Sequence, residues 1–247
     1  MLSDKAKKLI KICIGTISLL AVLGVAVALL MYNGYIQVNH ISRRKYPVVG
    51  VDVSSYQGDI DWNVLASQNI QFAFIKATEG SGYVDQYFKT NWENAAGTDL
   101  RIGAYHFFSF ESPGKNQASN FIGTVGDKEG MLPPVIDVEY YGSFRSAGDI
   151  DAKGIAKELR DMVDELFANY GVKPIIYVSK ESYETIVKDG FNDCPLWYRS
   201  VYSKVPRDVN WTFWQCSNRK RLDGYNGAET YIDLNVFNGS KDSFMSY

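Results

Sequence analysis

Asp137 and Glu139 stand one residue apart at the end of the apolar run "LPPVIDVE". If that run is a strand, its period of two sends both side chains to one face, roughly 6.5 Å apart along the chain. Two carboxylates so placed can act on one bond, one donating a proton while the other serves as base, nucleophile or orienting group. Asp52 after "VVGV", Glu79 in "FAFIKATEG" and Asp233 in "YIDLN" hold comparable places in strand-like runs. A lone acid at a strand end most often caps a loop or a helix; the convergence of several predicts a site. His106, in "GAYHFF", reads as a hydrogen-bonded strut in the floor of that site rather than as a catalyst. Lys76 and Glu79 fit a loop-shaping ion pair as well as they fit substrate contact.

The elements that must position these acids alternate. Strand-like "YPVVGVDVS", "QFAFIKAT", "RIGAYHFF", "PPVIDVE" and "KPIIYVS" are separated by helix-like "DWNVLASQN", "VDQYFKTNWENAAG", "NQASNFIGTVG" and "DAKGIAKELRDMVDELFANYG". The last helix should stop at Gly171, with Pro174 just beyond. Such alternation implies a mainly parallel sheet. After residue 180 comes one short helix, and then "PLWYRSVY", "NWTFWQCS" and "TYIDLNVF" follow with loops too short for full helices. The expected fold is therefore α/β, a barrel that loses its helices late, with its chemistry at the C-terminal strand ends.

Residues 12–31 are twenty positions without a charge, long enough to cross a hydrocarbon core about 30 Å thick. The run exceeds the apolar core of a signal peptide, so an uncleaved transmembrane helix is expected. Lys5, Lys7, Lys8 and Lys11 precede it and favour a cytoplasmic N-terminus. The organisation predicted is a basic tail over 1–11, the span over 12–31, a polar linker over 32–45 reaching at most about 50 Å, and one catalytic domain over 46–247 outside the cell.

The chain carries −2 overall, while residues 1–45 hold seven Lys/Arg and one Asp, which leaves −8 on the remainder. An acidic domain argues against nucleic acid as a partner. Cys13 lies in the apolar run, and Cys194 and Cys216 would fall at opposite ends of two parallel strands, which disfavours a bridge. Two distant histidines, no CxxC and an all-carboxylate site predict no metal and no other cofactor.

"GVDVSSYQGDIDW", "FAFIKATEG", "GAYHFF", "LPPVIDVE", "IIYVS", "PLW", "FWQ" and "IDLNVFNG", in order from about residue 47 to 240, together resemble glycoside hydrolase family 25, the Chalaropsis-type muramidases. The resemblance implies a flattened TIM-like barrel, (β/α)5(β)3, and hydrolysis of the β-1,4 bond between N-acetylmuramic acid and N-acetylglucosamine in peptidoglycan. It also implies Glu139 as general acid, Asp137 as its partner, and Asp52 and Asp233 as the two further acids of the site. A carboxyl crowded by others in a partly dry site stays protonated to higher pH, as a proton donor requires. Asp137 lies too close to be the distant base of an ordinary inverting enzyme. It could orient the sugar's 2-acetamido group for attack on the anomeric carbon; a direct aspartate nucleophile and an inverting water are the alternatives.

Pyranose rings pack on flat side chains, which makes Tyr105, Tyr177, Trp197 and Trp214 candidate sugar contacts, with Gln215 as a hydrogen-bonding neighbour and Glu79 at the loop. The chain departs from the family at "LWYRSVY", where "LWIARY" is common. The expected whole is a muramidase on the outer face of the cell membrane that remodels the wall. A catalytically silent glycan-binding barrel would not need all four acids, and a secreted lysin would need a cleavage site or no anchor.

Overall fold

A computed structural model of the chain describes residues 3–127 and 130–247. Helix α1 (Asp4–Tyr32) begins where the Ser3 hydroxyl accepts the Ala6 amide, and none of its residues is buried. At 29 residues it is about 43 Å long. Residues 1 and 2 of the expected tail lie outside the described residues.

Strand β1 (Val49–Val53), α2 (Trp62–Ser67), β2 (Phe72–Glu79), the two-residue β3 (Tyr83–Val84), α3 (Phe88–Ala96), β4 (Arg101–Phe107), α4 (Gly114–Val125), β5 (Val135–Val138), α5 (Ala152–Tyr170) and β6 (Ile175–Val178) realise the predicted alternation. A single turn, α6 (Lys180–Ser182), runs into a π-helical turn over Tyr183–Val187 and completes the fifth β-to-α step. The strands β7 (Leu196–Arg199), β8 (Phe213–Lys220) and β9 (Ile232–Phe237) follow without intervening helices, and α7 (Lys241–Met245) ends the chain. Strands β1, β2 and β4 to β8 run parallel around the ring. Antiparallel β9 pairs with both β8 and β1 and closes an eight-stranded barrel, as the sequence predicts. The hairpin strand β3 lies outside that ring, on β2.

Local chemistry accounts for the elements. In α5, Ile155, Leu159, Met162, Val163 and Leu166 repeat at helical spacing and are all buried, while Asp151 caps the first turn and Gly171, at φ +71°, ends the last. Strand residues alternate between two cores. Phe72, Phe74, Val135, Ile175, Trp197 and Phe213 fill the barrel interior, and Ile75, Ile136, Val138 and Ile176 face the helices. Phe74 sits 4.7 Å from Trp197 and 5.3 Å from Phe213, ring centre to ring centre, so aromatic edges plug the barrel. That plug leaves the C-terminal strand ends as the open face.

Residues 32–45, expected as a polar linker, are laid against the outside of β8, and Tyr46 continues them. Gln37 donates to the carbonyl of Arg219, Asn39 donates to the carbonyls of Ser200 and Cys216, and the Tyr46 ring packs edge-on against Trp214. Gly34 takes φ +70° where a Cβ would lie 2.3 Å from the Arg219 carbonyl. The strap thus runs antiparallel to β8, from its C-terminal end to its start, and covers a flank that has no helix.

Candidate active site

A cleft of about 510 Å³ opens at the C-terminal ends of the strands. Strand parity decides what enters it. On β5, Val135 and Asp137 face inward and Ile136 and Val138 outward, so Glu139, just past the strand, rejoins Asp137 on the cleft side. Asp52 on β1 and Asp233 on antiparallel β9 are register partners, which puts both carboxylates at the same level. All four acids line the cleft, and so do Glu79, Tyr105, Tyr177, Trp197 and Gln215.

Two of the acids, Asp52 and Asp233, are held by a network rooted in the barrel interior. Gln215 donates to Asp233 at 2.9 Å and to Asp52 at 3.2 Å, and its amide oxygen accepts the Tyr177 hydroxyl at 2.9 Å. Asn235 donates to Asp52 at 2.6 Å and accepts the Trp197 indole N–H at 2.9 Å. Burial nevertheless raises the Asp52 carboxyl to about 6, against the opposing pull of those donated hydrogen bonds. Asp233 is pushed well above the usual range by burial and then by the charge of Asp52. Asp137 is pushed well above it by burial and then by Glu139. Its Oδ1 is buried with no hydrogen-bond partner, on a residue that lines the cleft. Burial also raises Glu139, partly offset by Arg199, whose Nε lies 4.0 Å from its carboxylate.

Two predicted placements need correction. Trp214 does not line the cleft: it is buried on the outer side of β8, its indole N–H donated to the Ser200 carbonyl and its ring packed between Tyr46 and Trp211. Neighbours on a strand face opposite sides, so Trp214 and Gln215 could not both point inward. His106 is a strut, but between β4 and α4 rather than in the site's floor. Its Nε2 donates to the Gln117 amide oxygen at 3.0 Å, which leaves Nδ1 to accept the Thr78 hydroxyl at 2.7 Å. Burial lowers its pKa to about 4, so the ring is neutral there. Lys76 and Glu79 do form an ion pair, at 2.8 Å, on the cleft wall.

Sequence reasoning missed Arg199 and Asn235, although both were legible by parity: each lies two residues beyond an inward position, Trp197 and Asp233 respectively. Arg199 falls in "LWYRSVY" and supplies a cationic wall to the cleft. Tyr141, Asn218, Glu229 and Tyr231 also line it, from loops and a strand extension with no periodic signal.

A parallel barrel whose open end gathers four carboxyls of raised pKa above an aromatic floor is the arrangement of a glycoside hydrolase. The chain belongs to the glycosyl hydrolases family 25, whose pattern matches residues 51–225. It is 37% identical over 209 residues to the protein YegX of Escherichia coli O157:H7, covering 82% of this chain and 74% of that one. It is 32% identical over 209 residues to lysozyme M1 of Streptomyces globisporus, covering 78% and 68%. The structure of a family 25 glycosyl hydrolase from Bacillus anthracis superimposes with a TM-score of 0.79 at 49% identity, covering 86% of this chain and 97% of that one.

Proposed function

We propose that this enzyme is a muramidase that cleaves the β-1,4 bond between N-acetylmuramic acid and N-acetylglucosamine in peptidoglycan, and that α1 tethers it to the outer face of the cell membrane for wall remodelling. The observation that carries the chemistry is the Asp137–Glu139 pair: two buried-edge carboxyls on one face, one of them with a vacant acceptor oxygen. In the free enzyme burial favours the protonated form of both. An acetamido N–H donated to Asp137 Oδ1 favours the charged form of Asp137 and leaves the transferable proton on Glu139. Glu139 then protonates the leaving glycosidic oxygen while the acetamido oxygen, oriented by Asp137, attacks the anomeric carbon. In the second half, the Glu139 carboxylate takes a proton from the incoming water. Asp52 and Asp233 hold the sugar's far side through the Gln215 network. A direct aspartate nucleophile or an inverting water would use the same residues, and the anomer released first distinguishes the three.

The membrane reading rests on α1, whose mean hydropathy reaches 2.6 with no part buried, and on the lysines that precede the apolar run. Digestion of peptidoglycan by the full chain, followed by identification of the new reducing ends, tests the chemistry. N-acetylmuramic acid termini are expected, and N-acetylglucosamine termini would make the enzyme a glucosaminidase instead. Protease added to wall-stripped cells should remove the barrel from the membrane; full protection would reverse the orientation.

A further inference from the structure

The end of α1 is bolted to the rim of the cleft. Arg219 donates to the Tyr32 carbonyl at 2.6 Å and stacks its guanidinium 4.6 Å over the Tyr32 ring. Arg221 donates to the Asn33 carbonyl at 2.7 Å and lies 5.1 Å over Tyr35. Tyr231, which lines the cleft, donates its hydroxyl to the same Tyr32 carbonyl at 3.2 Å. One tyrosine side chain therefore spans the distance from the catalytic cleft to the last turn of the membrane helix.

The surface around that junction has the composition of a membrane interface. Tyr32 and Tyr35 are 65% and 69% exposed, and Ile36 and Val38 extend the apolar surface from the helix onto the strap. Arg43 and Lys220 line one shallow depression beside it, with Ile36 and Ile41 as its apolar wall. Residues 46–247 carry −8, so the grouping of Arg219, Lys220 and Arg221 near Arg43 runs against the domain's own charge. Aromatic rings at the polar–apolar boundary with cations just beyond it suit phospholipid headgroups, whose phosphates the guanidinium groups can bind.

We propose that Tyr32, Tyr35, Arg219, Lys220 and Arg221 form a collar seated in the phospholipid headgroups, which fixes the barrel's height and holds the cleft rim beside the bilayer. The proposal rests on the tethered-muramidase reading above. Its consequence is that the enzyme acts as a ruler: it cuts glycan that lies close to the membrane and leaves distant strands alone. A flexible tether of the same length would sample a volume instead.

The test uses the full chain in vesicles containing phosphatidylglycerol, with peptidoglycan strands coupled through their reducing ends to phosphatidylethanolamine in the same bilayer. The length of the glycan stub left on the lipid is read by mass spectrometry. Wild type should leave short stubs of narrow spread. Insertion of eight Gly/Ser residues between Asn33 and Gly34, combined with Arg219→Gln and Arg221→Gln so that Tyr32 and Asn33 are no longer held, adds up to about 28 Å of reach and should at least double the mean stub length. Arg219→Gln with Arg221→Gln should broaden the distribution without an insertion. All three proteins should cut strands free in solution at rates within about twofold, which certifies the fold. Stub distributions identical to wild type for both variants would overturn the collar. A wild-type chain that fails to float with vesicles would overturn the anchor, and one that cuts no free strand would overturn the muramidase reading; either result takes the collar with it.

Discussion

Exchanging one oxygen of Glu139 for nitrogen keeps the side chain's shape and removes the proton it would give. Glu139→Gln should therefore retain glycan binding while turnover falls roughly 10²- to 10⁴-fold. An aryl glycoside with a good leaving group should be spared part of that loss, and single-turnover kinetics on both substrates reads the difference. Asp137→Asn should fail by another route, since an amide cannot stabilise positive charge developing on the acetamido group. A substrate lacking that group should be poor for wild type and lose little more on the substitution; a large further loss would remove acetamido participation. The burial that tunes these acids also loads the fold. The Asp52 carboxyl rises from 3.8 to about 6, so between those values the folded chain holds a proton that the unfolded chain has released. The stability this proton confers is complete below about 3.8 and is lost as pH rises through about 6. Relative to Asp52→Asn, wild type should lose stability between pH 4 and 7, read from denaturant midpoints. A flat difference would mean that Asp52 titrates normally.

At the scale of elements, Trp214 offers the cleanest contrast between packing and binding. Trp214→Ala should cost about 3–5 kcal/mol of stability, as large-to-small changes in cores do, and leave the KM for soluble glycan unchanged below the melting temperature. A raised KM with unchanged stability would return Trp214 to the substrate. Helices α4 and α5 meet at Gly114, where an added Cβ would lie 1.8 Å from the backbone carbonyl of Glu158. Gly114→Ala must push the two helices apart, with a loss at or above the usual 1–3 kcal/mol of overpacking, measurable as a lowered Tm. The strands and the long helices were legible in the sequence because their side chains repeat at periods of two and 3.6. The period of two alone puts Asp137 and Glu139 on one face. What escaped lay where periodicity ends: Tyr231 and Glu229 reach the cleft from the β8–β9 connection, and Asn39 finds the Cys216 carbonyl 177 residues away. Arg199 and the outward turn of Trp214 were written in the parity of their strands and needed only the phase set by Trp197 and by Gln215 respectively.

The molecule as a whole departs from the picture of an enzyme on a string. Residues 32–45 were expected as a polar linker; long-range hydrogen bonds, invisible to any local pattern, lay them against the barrel wall. If α1 is the tether proposed above, where the anchor ends and the enzyme begins is a question of proteolysis. A peptidase cutting between Tyr32 and Asn33 would shed a barrel with its flank still covered, competent to diffuse into the wall. A cut between Asn39 and Tyr46 would instead let the strap peel away with the Gln37 and Asn39 hydrogen bonds that hold it to β8, and release a protein prone to unfold. Shedding at the first position should leave soluble activity in the medium and shedding at the second should not, so the same strap that holds the cleft in place would also decide whether release switches the enzyme's territory or ends its life.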